Sequence, residues 1–300
     1  MTMRAVRLHD AGDGRRLELE ELPLPRPQKG GVLVRVHAAA ITRDELGWPS
    51  DRLPAIPSYE LSGVVSEVSP GLTEYRVGDA VYALTPFDRN GVACEYVAMP
   101  ASVLAPKPAS LSHVEAASVP MPGLSAWQGV FDHGRLEAGQ RVLILGAAGG
   151  VGQMATQLAR DRGAQVVGSA STARLQAVRD LGADEVADHT EPFEESLEPV
   201  DLVFDTVGGA ALKRSFAVVR AGGRVVSVAE EPPQVGRDDV SALYFVVEQS
   251  SDQLGELTRL IDEGKVRTEV DSVFALADAS AAFARVQERG KNGKVVLEIP

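Results

Sequence analysis

The run RVLILGAAGGVGQMATQLAR, residues 141–160, holds the residues best placed to do chemistry. An apolar strand at 141–146 passes directly into Gly146-Ala147-Ala148-Gly149-Gly150-Val151-Gly152, and a helix follows over 151–163. A tight turn, close backbone approach to a pyrophosphate, and strand–helix packing each require a position without a side chain. A helix N-terminus adds free N–H groups and a partial positive charge. Gly146, Ala148, Gly149, Gly150, Val151 and Gly152 are therefore assigned to cofactor binding. The competing reading is a tight turn that holds no ligand.

The second strand bears on which dinucleotide is bound. An NAD site places an acidic residue about 20 residues beyond the glycines, on the ribose 2′-hydroxyl. That count lands on Ser169-Ala170-Ser171-Thr172, with Arg174 close behind and no carboxylate among them. Hydroxyls at Ser169 and Ser171 with the Arg174 guanidinium suit a 2′-phosphate, which predicts NADP(H). Arg174 also reads as a solvated charge on a helix face.

The elements that must position this loop fall into two styles. Residues 1 to about 110 read as short extended segments (32–40, 61–68, 79–84, 93–99) between turns such as Ser69-Pro70-Gly71. They predict a mostly antiparallel β domain. Ser112 and Glu115 have the spacing of a capping box, opening a helix before a second one that ends near Gly134. Strands at 141–146, 165–170, 201–209 and 223–229 then alternate with helices at 151–163, 172–182 and 211–223, the pattern of parallel βαβ units. A strand-like run at 242–247 and a helix at 254–264 continue the series. The tail, with a strand near 270–276, a helix over 277–290 and a strand near 294–299, returns to the first style. The expected fold is α/β, a Rossmann-type doubly wound parallel sheet (116–265) inserted in a β domain (1–115 and 266–300).

A net charge of −12 makes nucleic acid and anionic membrane surfaces poor partners. Cys94 is the single cysteine, so neither an intrachain disulfide nor a multi-thiolate zinc site can form. The five histidines, His9, His37, His113, His133 and His189, show no ligand spacing, and no metal is expected. Neither a signal peptide nor a membrane span is visible, which leads to the expectation of a cytoplasmic protein acting on a small-molecule substrate.

The motifs together resemble the medium-chain dehydrogenase/reductase superfamily, and within it the zinc-free quinone oxidoreductase (zeta-crystallin-like) branch, whose β domain is GroES-like. The resemblance runs through MRAVRLHDAG, VLVRVHAAAI, LSGVVSEVSPGLTEYRVGDAVYAL, GAAGGVGQMATQLAR, LGADEV, DTVGG and GKVVL. It implies catalytic candidates at Tyr59, Thr42 and Ser125, with Tyr59 the preferred hydrogen-bond donor. It further implies that Val207, Gly208 and Val228 lie beside the nicotinamide half, that Lys294 reaches the cofactor, and that Phe245 and Trp48 line the pocket. The run 241–247 matches a stretch that pairs across a dimer in relatives, so a homodimer is expected. Zinc-dependent relatives carry Cys and Gly-His-Glu where this chain has Thr42 and Ser58-Tyr59-Glu60. Many members carry Gly at position 58, and the tyrosine pattern of well-known quinone reductases is missing from 41–48. The activity implied is NADPH-dependent, metal-free hydride transfer to an enone or quinone. A binding-only sensor or scaffold and a zinc-type alcohol dehydrogenase are the alternatives.

Overall fold

A computed structural model describes residues 1–10, 12, 14–48, 51–288 and 290–300. The chain divides into two compact units. Met1–Met121, Gln249–Glu263 and Thr268–Pro300 form the first, and Pro122–Glu248 with Gly264–Arg267 form the second.

The first unit opens with a hairpin of β1 (Thr2–Asp10) and β2 (Arg15–Pro23). Then come β3 (Gly31–Ile41), β4 (Glu60–Val68), β5 (Ala80–Leu84), β6 (Tyr96–Pro100) and the two-residue β7 (Ala105–Pro106). Helix α1 (His113–Ala117) starts at Ser112, where both hydrogen bonds of the capping box form with Glu115. Helix α2 (Pro120–Trp127), which belongs to the second unit from Pro122 onward, widens into a π-turn over Gln128–His133 and stops at Gly134.

The second unit alternates β8 (Arg141–Leu145), α3 (Gly150–Asp161), β9 (Gln165–Ala170), α4 (Leu175–Asp180) and β10 (Glu185–Asp188). It continues through β11 (Val200–Asp205), α5 (Gly209–Ser215), β12 (Val219–Ser227) and β13 (Ser241–Tyr244). All pairings in this sheet are parallel, in the order β10-β9-β8-β11-β12-β13. Every residue of β11 is buried, as expected of a parallel strand covered on both faces. The chain then returns through α6 (Ser251–Asp262), β14 (Val270–Ala275), α7 (Ala279–Gln287) and β15 (Lys294–Glu298). The first unit's larger sheet runs β14-β15-β3-β4-β5-β7, with β6 also on β3. This is the fold of a GroES-like domain together with a Rossmann-type sheet.

Four expectations need correction. The helix near 254–264, assigned to the nucleotide domain, belongs to the first unit as α6. Tyr82 Oη donates to Leu254 O (2.6 Å), Thr258 Oγ1 donates to Pro106 O (2.9 Å), and Asp262 accepts from the N–H groups of Ala109 and Ser110. Helical periodicity shows that a face is apolar, not which core receives it. Second, the returning strands β14 and β15 pair parallel, because α7 forms a crossover between them. Third, the strand expected to reach Val247 ends at Tyr244, because its partner β12 ends at Ser227 in register with it. The helix expected to 290 ends at Gln287, and Arg289 lies outside the described residues. Among the described residues no helix is long and apolar enough to cross a membrane.

Candidate functional site

In the second unit the strand order reverses at β8 and β11, the position where doubly wound sheets open a crevice at the strand ends. The glycine loop lies there. Gly146 has φ +77°, and a Cβ on it would meet Thr206 Oγ1 at 2.5 Å and Val207 Cγ1 at 2.8 Å. A Cβ on Gly152 would stand 2.2 Å from Gly146 O, so any side chain there pushes the loop and the helix apart. Ala147 N–H donates to Ser169 O (2.8 Å), tying the loop to β9. Gly149 N–H donates to Gly146 O (2.9 Å) and caps α3 without a side chain of its own. The first-turn N–H groups of Gly150, Val151 and Gly152 precede any intrahelical acceptor. This amide-lined cradle fits a dinucleotide pyrophosphate.

The rest of the predicted cofactor set is mixed. Ser171 is half-buried and starts a short 3₁₀ turn through Arg174. Ser169 does not stand open to a ligand. It is 1% exposed inside β9, between β8 and β10, and its Oγ has no partner among the described residues. Asp188, missed in the sequence, ends β10 opposite Ala170, and its carboxylate takes the Thr172 hydroxyl, a contact that counting along one strand cannot reveal. The hydroxyls of Thr172 and Thr190 draw the Asp188 pKa down to about 2.

At the end of β11, buried Asp205 accepts from the N–H groups of Val207 (3.1 Å) and Gly208 (3.0 Å) and from Ser227 Oγ (2.7 Å). These bonds hold Gly208 at φ +72° and leave Val207 exposed. Val228, half-buried, donates its N–H to Asp205 O (3.0 Å). Phe245 is a packing residue instead of an open wall: it is buried, with its ring 4.4 Å from that of His133. Ser125 is buried in α2.

The first unit gathers side chains. β15, β3 and β4 are adjacent, and Lys294, Thr42 and Glu60 all fall at the same end of these strands. Lys294 Nζ pairs with Glu60 Oε1 and donates to Thr42 Oγ1 (2.9 Å), while Glu60 Oε2 accepts from Met121 N–H (2.9 Å). Lys294 is thus a half-buried partner of the buried Glu60, with its side chain 12% exposed. Glu45 closes the network, accepting from Thr42 N–H (2.9 Å) and Ser58 N–H (3.1 Å). Burial pushes its carboxyl up to about 8 against these two bonds, so it carries a proton at neutral pH. Ser58 has φ +63°, a left-handed conformation that favours glycine, and its buried Oγ has no partner among the described residues.

Tyr59 is fully buried among Trp48 (ring centroids 5.5 Å) and Phe87 (5.5 Å), and among the described residues its Oη has no partner within hydrogen-bond geometry. Burial raises the phenol pKa, against the pull of the nearby Arg52 charge, so it keeps its proton as a donor.

Zinc does not fit the Thr42–Glu60 location, since an ammonium has no lone pair and the Lys294 ammonium already sits on Glu60. His9, Glu18 and Glu20 do bring three ligand-type atoms within 4.8 Å of one another, because the β1–β2 register overrides their linear spacing. Arg16 and Arg7 pair with those two carboxylates.

Residues 28–109 match the alcohol dehydrogenase GroES-like domain, and residues 181–297 match the zinc-binding dehydrogenase family. A probable zinc-binding mitochondrial oxidoreductase of Arthroderma benhamiae is 32% identical over 94% of this chain and 93% of its own length. The chain belongs to the medium-chain dehydrogenase/reductase superfamily. An NADPH-dependent alkenal/one oxidoreductase of Arabidopsis thaliana is 32% identical, covering 98% of this chain and 79% of that protein. The quinone oxidoreductase of Coxiella burnetii superposes with a TM-score of 0.89 at 28% identity, over 100% of both chains. These likenesses place this superfamily member in the zeta-crystallin-like branch. They support oxidoreductase chemistry with a nicotinamide dinucleotide.

Proposed function

We propose that this chain is an NADPH-dependent, metal-free reductase of small conjugated carbonyls, enones or quinones. The observation that carries the reading is the Lys294 ammonium held by Glu60 and Thr42, where zinc-dependent relatives place metal ligands. Bound NADPH would supply the hydride. An enone that accepts hydride at its β-carbon becomes an enolate, and its oxygen then needs a hydrogen-bond donor or a proton. The neutral Tyr59 phenol is the preferred donor, with the Thr42 hydroxyl beside it in role; Ser125 is assigned to substrate or ribose contact. An unactivated aldehyde would need a stronger Lewis acid, so activated double bonds are favoured. The alkenal/one reductase likeness supports the same class.

The preference for NADPH rests on the lack of an acid at Ser169–Thr172 and on Arg174 nearby. Asp188 acts in the opposite sense, and its hydrogen bonds to Thr172 and Thr190 are what engage its charge. A homodimer is part of the proposal, since β13 is an edge strand of the sheet, and Tyr244 at its end and Val246 just beyond it are exposed.

The test is loss of reduced-nicotinamide absorbance with a panel of enones and quinones, run with NADPH and with NADH. Turnover with NADPH that Arg174→Ala weakens selectively supports the reading. Folded protein that binds NADPH and turns over nothing would instead establish a binding-only role, which the full burial of Tyr59 favours. Stoichiometric zinc by elemental analysis would overturn the metal-free assignment.

A further inference from the structure

A cavity of about 690 Å³ opens in the first unit, against β1, the end of β2 and β6. None of Thr42, Tyr59, Glu60 or Lys294 lines it. Its size falls within the range of small-molecule sites, about 300–1,000 Å³.

The lining charge runs against that of the chain. The protein carries −12, yet Arg7, Arg26, Lys29 and Arg89 line this cavity and, among the described residues, no aspartate or glutamate does. Arg7 is already engaged by Glu20 (3.3 Å) and Pro54 O (2.9 Å). Arg26 and Lys29 are exposed and have no hydrogen-bond or ion-pair partner among the described residues. Arg89 is the informative one. Its half-buried guanidinium donates to Ala98 O and lies in no ion pair among the described residues, and burial holds its pKa below the ordinary arginine value against the opposing pull of the Asp88 charge. A guanidinium has five N–H donors in a planar fork that matches a carboxylate, and most of them are uncommitted here. The cavity also presents buried apolar side chains, Met3, Ile56, Val97 and Met99.

We propose that this cavity binds a small amphipathic carboxylate, its apolar chain or ring on the methionine-lined wall and its charge on Arg89. The arrangement is a second binding site, independent of hydride transfer.

The experiment is calorimetric titration of decanoate and of decanol into the full chain, with and without NADPH. Decanoate should bind one to one in both conditions, at least tenfold more tightly than decanol. Arg89→Gln should weaken decanoate at least tenfold and leave decanol unchanged. The paired change Arg26→Gln with Lys29→Gln, at exposed unpartnered positions, should weaken decanoate about threefold, roughly 0.6 kcal/mol, and guards against an Arg89 variant that fails to fold. Absence of saturable decanoate binding, equal affinity for decanol, displacement by NADPH, or indifference to these substitutions would each overturn the proposal.

Discussion

The two units build their sites from opposite materials. The second uses backbone: glycines, a helix N-terminus, and a strand end at which Asp205 folds the chain onto its own N–H groups. The first uses side chains from distant segments, with Thr42, Glu45, Ser58, Glu60 and Lys294 meeting inside a β domain. A backbone site tolerates most sequence changes but no added Cβ at its tight points. A buried side-chain network tolerates small shifts in shape but not an unpaired charge.

The largest expected effect lies in the first unit. Lys294→Met strands the Glu60 charge and should cost about 3–5 kcal/mol in urea denaturation, whereas adding Glu60→Gln should restore most of it. A single-variant loss below about 1 kcal/mol would mean that the pair behaves like a surface ion pair and erase the contrast. In the second unit, Gly152→Val drives a side chain into Gly146 O. It should weaken NADPH about a hundredfold, roughly 2.7 kcal/mol, with the circular dichroism spectrum retained; unchanged affinity would show that the cradle does not hold the cofactor.

The Glu45 carboxyl gives a pH signature that the backbone site lacks. Its value rises from 4.5 to about 8 on folding, so between these values the folded chain holds the proton more tightly than the unfolded one. Stability from this group is therefore present below pH 4.5 and declines as pH rises toward 8. Glu45→Gln should remove that decline, leaving stability flat with pH between these two values. An identical pH slope in both proteins would show Glu45 ionised in the fold. The smallest effect is at Ser58, where glycine relieves the positive φ and removes a buried hydroxyl without a partner. Ser58→Gly should stabilise by about 1 kcal/mol, read as a rise in thermal midpoint, and a fall would show that the hydroxyl has a role in the network.

The parallel sheet, its crossover helices and the glycine loop are legible in the sequence. Each depends on residues close in sequence, on apolar runs bounded by helices and on glycines spaced to keep two backbones in contact. The capping box at Ser112 belongs to the same class. Tertiary structure alone decided that α6 joins the first unit, that Asp188 reaches Thr172 across two strands, and that Ser169 and Phe245 turn inward. It also decided that Lys294 pairs with a carboxylate more than two hundred positions away. The physical reason is that local pattern reports the conformation of a segment and which of its faces is apolar. The partner of a buried charge is chosen by strand register, and register is a property of the assembled sheet.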